Sequence, residues 1–352
     1  MWESAGREFL AGLRTAEPRV FLASLLAAVL MLACIEIALS KGWLWRLDAG
    51  WLISTPYDDW THAMWAVNQL GEDDEATPIY LVGGSGSREA VISNESVERA
   101  LSSKRPGRYR FLNLGTRNQT FFETVILIEN LPDTKFGLIV FGLTPHFFTD
   151  GIDDAHAAVY GTRFPLRSRT LAEALEVMGV LGSDPMPLNL LRYRAMVANY
   201  VNKRIAGGNL FRHLDYRNHL YEGRPPMQGR ALAEKFHQIA SSMSDYARFA
   251  PLNFYILEVA IRLAQAKGYK VLLAELPRNP VGEEVLYGNV LDSYREGLRA
   301  LAESTGAEHV DLHSQYRFPR SYFYDHLHQI DAARVVFQER LVDLLSSRLG
   351  AQ

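Results

Sequence analysis

A single cysteine, Cys34, is all the thiol in the 352 residues of this chain. One thiol excludes a disulfide framework within the chain and any cysteine-built zinc site. An excess of either charge is also missing. The 37 Lys and Arg nearly balance the 40 Asp and Glu, so no nucleic-acid surface is expected. The phosphate-cradling patterns G-x-x-x-x-G-K-[ST] and G-x-G-x-x-G are absent, which removes the usual nucleotide-binding signatures. Internal repeats and low-complexity tracts are absent too. A composition 48% hydrophobic and 22% charged is that of a globular chain. At about 150 residues per domain, the length predicts two units or one enlarged α/β domain.

One long apolar run stands out. From Val20 to Leu39 the sequence reads VFLASLLAAVLMLACIEIAL, with Glu36 its only charge. About 20 apolar residues cross a bilayer core as a helix. Trp43, Trp45 and Trp51 follow, where an interfacial aromatic belt belongs. The run is long for a signal-peptide core and no A-x-A cleavage site follows it. It predicts a single-pass anchor over residues 20–40, with residues 1–19 cytoplasmic. Arg7, Arg14 and Arg19 precede the run, against Lys41 and Arg46 after it. That bias puts the large domain outside the cytoplasm, which in a two-membrane envelope is the periplasmic side of the inner membrane.

Residues 41–77 read as a connector, with a helical stripe at Trp60, Met64, Trp65 and Leu70. From Pro78, apolar runs alternate with helical spacings. Strands are expected at Ile79–Val82, Arg110–Leu114, Phe136–Leu143, Lys270–Leu276 and His309–Leu312. Helices are expected at Glu89–Leu101, Thr120–Leu131, Ile256–Ala266, Asn289–Ser304 and Asp331–Leu349. The alternation predicts a three-layer α/β sandwich around a parallel sheet. It is built from residues 78–150 and 251–352. Residues 151–250 carry only helical stripes, such as Leu171, Leu175 and Met178, and read as a helical insertion.

In such sheets the ligand lies beyond the carboxyl ends of the strands. After the first strand comes Gly83-Gly84-Ser85-Gly86-Ser87-Arg88. A serine between glycines at a strand-to-helix turn projects its hydroxyl, while backbone N–H groups face a bound oxyanion. After the second comes Asn113-Leu114-Gly115-Thr116-Arg117-Asn118. Gly115 offers an amide and Asn118 a side chain to the same oxyanion; a capped helix entry explains this turn equally well. Near the C-terminus stands Asp325-His326-Leu327-His328. A carboxylate three residues before a histidine fixes its tautomer and leaves Nε2 as a base. His326 competes with His328 for that role. A zinc reading would join His309, His313, His326 and His328, but the first two flank a strand. His62, His146, His213 and His237 read as surface or core residues. Arg88, one turn past Ser85, either meets an anionic sugar or lies on a helix surface.

The order of these blocks resembles the SGNH (GDSL-type) hydrolase superfamily, over residues 78–145 and 251–348. Gly83-Gly84-Ser85 matches the serine block, Asn113-Leu114-Gly115 the glycine block and Asp325–His328 the last block. Two departures are visible. Gly84 replaces the usual Asp or Ser, and Gly142-Leu143-Thr144-Pro145 lacks the Asn of the third block. The anchor, the missing Asn and Leu276-Pro277-Arg278-Asn279-Pro280 resemble the extracytoplasmic branch with the alginate O-acetylation and teichoic-acid D-alanyl transfer proteins. The resemblance implies a serine acyltransferase with Ser85, Asp325 and His328 catalytic. The oxyanion site falls to Ser85, Gly115 and Asn118, and no metal or organic cofactor is implied. The acceptor would be an envelope polysaccharide and the partner a polytopic membrane-bound O-acyltransferase. An esterase with the same residues, or a non-catalytic glycan-binding scaffold, are the alternatives.

Overall fold

The computed structural model of the chain describes residues 18–71, 75–161, 163–180 and 188–349. The cytoplasmic segment expected over residues 1–19, with Arg7 and Arg14, lies almost wholly outside them. Five parallel strands form one sheet: β1 (Thr77–Gly83), β2 (Tyr109–Asn113), β3 (Gly137–Leu143), β4 (Tyr269–Glu275) and β5 (Glu308–Asp311). Their spatial order is β2-β1-β3-β4-β5. The direction of winding reverses between β1 and β3, which opens a crevice at their carboxyl ends.

Strand β3, Gly-Leu-Ile-Val-Phe-Gly-Leu, is buried at every position, as a central strand covered on both faces must be. Side chains alternate between two cores. Tyr80, Val82, Ile139 and Phe141 pack with helices Phe121–Glu129, Tyr246–Ala266 and Leu291–Thr305 on one face. Ile79, Leu81, Leu138 and Val140 pack with helices Asn94–Lys104 and Asp331–Arg348 on the other.

Local chemistry fixes the helix ends. Thr120 and Glu123 form a reciprocal capping box, and so do Ser93 and Ser96. The second box corrects the helix expected at Glu89–Leu101. A single turn, Ser85–Arg88, is followed by a break and a new start at Asn94. The break leaves Glu89 buried against Arg334, at 3.3 Å, rather than on a helix surface. The helix read from Ile256 begins at Tyr246 and carries Pro251 inside it.

Helices Ile152–Val159, Arg169–Val177, Asn189–Ala206 and Gly229–Met243 fill the expected insertion. The N-terminal helix Pro18–Ser40 has a mean hydropathy of 2.6 over its most apolar stretch, none of it buried. It is long and apolar enough to cross a membrane.

Candidate functional site

Three strand-end turns meet beyond β1 and β3. Turn one starts at Gly84, where a Cβ would collide with the Phe147 ring. That packing leaves no room for a side chain before Ser85. Ser85 opens the single helical turn and is half-buried. Its hydroxyl has no hydrogen-bond partner among the described residues. Ser87 differs. It is fully buried, and its hydroxyl donates to Val82 O at 3.3 Å beneath the strand ends. Of the two serines, only Ser85 is free for chemistry.

Loop Phe323–Gln329 closes on itself through a bridge between its end residues and a 2.7 Å bond from Tyr324 N to His328 O. The Asp325 carboxylate accepts the Leu327 and His328 amides at 3.0 and 2.9 Å. This Asx-type turn aims the carboxylate at the ring. His328 Nδ1 lies 2.8 Å from Asp325 Oδ2 and 3.0 Å from Oδ1. Nε2 has no partner among the described residues. Burial pulls the His328 imidazole pKa down, but the Asp325 charge and hydrogen bonds outweigh it and leave it raised. Burial works against the Asp325 charge, yet His328 holds that carboxyl well below its usual range. His326, the competitor, has its Nδ1 3.4 Å from Asp325 Oδ1 without hydrogen-bond geometry. Burial lowers its pKa, and both its nitrogens are sealed without partners.

Turn and loop are in contact: a Cβ at Gly86 would stand 3.0 Å from the Leu327 side chain. Ser85 and His328 are the neighbours of these two residues. The turn after β4 holds the loop from behind. Asn279 donates from Nδ2 to Asp325 O at 2.8 Å and from N to His326 O at 3.0 Å. Arg278 beside it is fully buried between Glu275 and Glu283, at 3.4 and 3.0 Å. From the insertion, Tyr221 lays its ring 4.7 Å from the His328 ring and stacks on Tyr324. Met227 N donates to Tyr324 O at 2.7 Å. The insertion thus covers the histidine.

Three expected site residues sit differently. The Gly115 amide donates to Asn113 Oδ1 at 3.0 Å, so it is not a free oxyanion donor. A Cβ at Gly115 would come within 2.7 Å of Arg88 N, and its role is close approach of two turns. Asn118 is exposed on its turn with φ 53°, a left-handed geometry that Asn tolerates. Its carbonyl accepts from Arg163 at 2.8 Å, and its side chain has no hydrogen-bond partner among the described residues. Arg88 is neither on a helix surface nor open to a ligand. It is 0% exposed, 3.4 Å from Asp59 and 3.5 Å from Glu89, and donates to Arg217 O. It ties the connector and the insertion to the serine turn.

Removing one partner of a buried ion pair leaves an uncompensated charge, at a cost of about 3–5 kcal/mol. Asp59 keeps Arg117 and Glu89 keeps Arg334 when Arg88 is lost, so Arg88→Met is expected to destabilise the fold by less, about 1–3 kcal/mol in denaturant unfolding. Unchanged stability with a raised KM would return Arg88 to substrate binding.

Two histidines of the zinc reading serve separate carboxylates, away from Asp325. His309 bonds Glu275 at 3.1 Å and His313 bonds Glu283 at 2.6 Å. His146 was read from the sequence as surface or core, yet it follows β3 at the site. Its Nδ1 is 2.9 Å from Thr144 Oγ1, and its ring is 5.6 Å from that of His326. Burial, then the neighbouring His326, His328 and Lys235, hold its pKa well below the usual histidine value. Its place just beyond a strand end was the available signal. No protein-family model matches the chain, and no curated protein matches it.

Proposed function

We propose that the chain is a membrane-anchored serine acyltransferase of SGNH type. It moves an acyl group, acetyl by the resemblance, onto a hydroxyl of an envelope polysaccharide. The observation that carries the reading is the Asp325–His328 pair, its Nε2 unpartnered among the described residues, on a loop whose Leu327 packs against Gly86, the residue after an unpartnered strand-end serine.

In this reading His328 Nε2 takes the Ser85 hydroxyl proton as Oγ bonds to the acyl carbon. The departing donor group receives that proton. The acceptor hydroxyl then gives its proton to His328 and attacks the acyl-serine, and Ser85 regains a proton. Asp325 orients the ring and stabilises its cationic form. The developing oxyanion is held by the Ser85 amide and by His146. In this reading His146, its pKa held well below the usual value, takes the tautomer in which Nδ1 accepts from the Thr144 hydroxyl and the Nε2 proton is free to donate. It takes the part of the Asn missing from the third block. Cover of His328 by Tyr221 of the insertion supports transfer over hydrolysis, which requires that water be kept from the acyl-serine.

Given an activated acetyl ester and an envelope oligosaccharide, the full-length protein should put more acetyl on sugar than it releases as acetate. Acetate alone would make it an esterase. In the same assay, His146→Phe is expected to lower kcat by about 10²–10³-fold with little change in KM. An unaltered kcat would remove His146 from the oxyanion site.

A further inference from the structure

Glu36, the one charge between Val20 and Leu39 of the N-terminal helix, does not face solvent alone. It accepts the Asn189 amide at 2.8 Å, the Leu190 amide at 2.7 Å and the Asn189 side chain at 3.1 Å. These are first-turn donors of helix Asn189–Ala206, which a carboxylate satisfies well. The insertion helix therefore starts level with the last turns of the apolar helix. It then runs along residues 43–53. Trp45 Nε1 donates to Tyr193 OH at 3.0 Å, and buried Arg204 donates to Ile53 O and Gly50 O at 3.0 and 2.9 Å.

The outward faces of both segments are apolar. Leu191, Val201 and Ile205 are exposed along the helix, and Trp43, Leu47 and Trp51 along the segment beside it. The spacing 191, 198, 201, 205, with Ala198 exposed between, makes one stripe at helical period. Beyond the helix, Phe211 is 88% exposed. The charges in this stretch have one sign. From Leu188 to Arg212 there is no Asp or Glu; Arg192 and Arg204 are buried, and Arg194, Lys203 and Arg212 are the exposed charges. An apolar stripe with only basic companions is the pattern of a helix lying in a bilayer interface rich in anionic headgroups. Exposed Trp beside it fits the same depth.

We propose that helix Asn189–Ala206, together with Trp43, Leu47 and Trp51, lies in the plane of an anionic membrane surface. The inference rests on the reading of Pro18–Ser40 as a membrane anchor. The Glu36 clasp joins the spanning helix to the in-plane helix, so the catalytic domain is held at a fixed height and tilt. Its acceptor would then be taken at the membrane surface.

The test uses the full-length protein with Cys34→Ser and one new cysteine at a time: Val29→Cys, Ile205→Cys or Phe136→Cys. Ile205 and Phe136 are 60% and 73% exposed, so neither change disturbs packing. Each is spin-labelled in vesicles of phosphatidylcholine and phosphatidylglycerol. Accessibility to oxygen, which concentrates in lipid, is compared with that to a water-soluble nickel chelate. Oxygen should dominate at Val29 and Ile205, and the chelate at Phe136. Oxygen at Val29 with the chelate at Ile205 would overturn the in-plane helix and leave the anchor standing. The chelate at Val29 would overturn the anchor, and the inference with it. Shielding of Ile205 from both reagents would mean that protein covers the face, and would also overturn the inference.

Discussion

Ser85→Ala is expected to lower kcat for acyl transfer by about 10⁶-fold, the size of effect seen when an activated serine nucleophile is removed. Folding should be unaffected, because the Ser85 hydroxyl holds nothing among the described residues. Ser87→Ala should do the reverse. Its buried hydroxyl bonds to the strand end, and losing it costs about 1 kcal/mol of stability. Turnover should persist in that variant. A Ser87→Ala enzyme that folds but is dead, beside an active Ser85→Ala enzyme, would move the nucleophile to the wrong serine for this account.

The second large effect is expected at Asp325. The substitution Asp325→Asn keeps an oxygen for the Leu327 and His328 amides, so the loop should survive. It removes the charge that favours the correct tautomer and the cationic form of His328. A loss of about 10⁴-fold in kcat follows. The pH profile carries the sharper signature. The base must be neutral, and the His328 pKa is raised. Wild-type activity should therefore fall with decreasing pH through a value above 6.5. Without the carboxylate, burial is the largest remaining influence and pulls the imidazole down against the smaller opposing pull of Glu89. The acid limb of Asp325→Asn should move to lower pH. A limb that stays in place would show that another group sets it.

The same pair shapes stability. The folded-state pKa of Asp325 is lowered, so its contribution is present above the unfolded carboxyl value and fades as pH falls through the folded one. For His328 the folded pKa is raised. That contribution is full below the unfolded histidine value and is lost as pH rises through the folded one.

What the sequence disclosed depended on how local each signal was. The apolar run Phe136–Leu143 could hardly be anything but a buried central strand, and β3 spans Gly137–Leu143. Asp325 and His328 were legible because three residues of loop bring them together. Arg88 was not, because what buries it lies far off in the chain, at Asp59 and Arg217. No spacing rule reaches that distance. His146 was missed for a related reason. Its partner Thr144 is two residues away, but its neighbour His326 arrives only when the loop folds over β3. Gly115 was read as an oxyanion donor, but its amide is spent on Asn113, which a strand pattern does not reveal. The helix read from Ile256 starts earlier, at Tyr246, because Pro251, which looks like a helix breaker, sits inside it.

The most direct measurement is to catch the acyl group on the enzyme. Full-length wild type and Ser85→Ala would be mixed with an activated acetyl ester, quenched in acid within the first turnover and mapped by peptide mass. The account predicts one acetyl group on the wild-type peptide that begins at the end of β1, assigned to Ser85, and none on the variant. Acetyl on Ser87 or on a histidine, or turnover by Ser85→Ala at the wild-type rate, would contradict it.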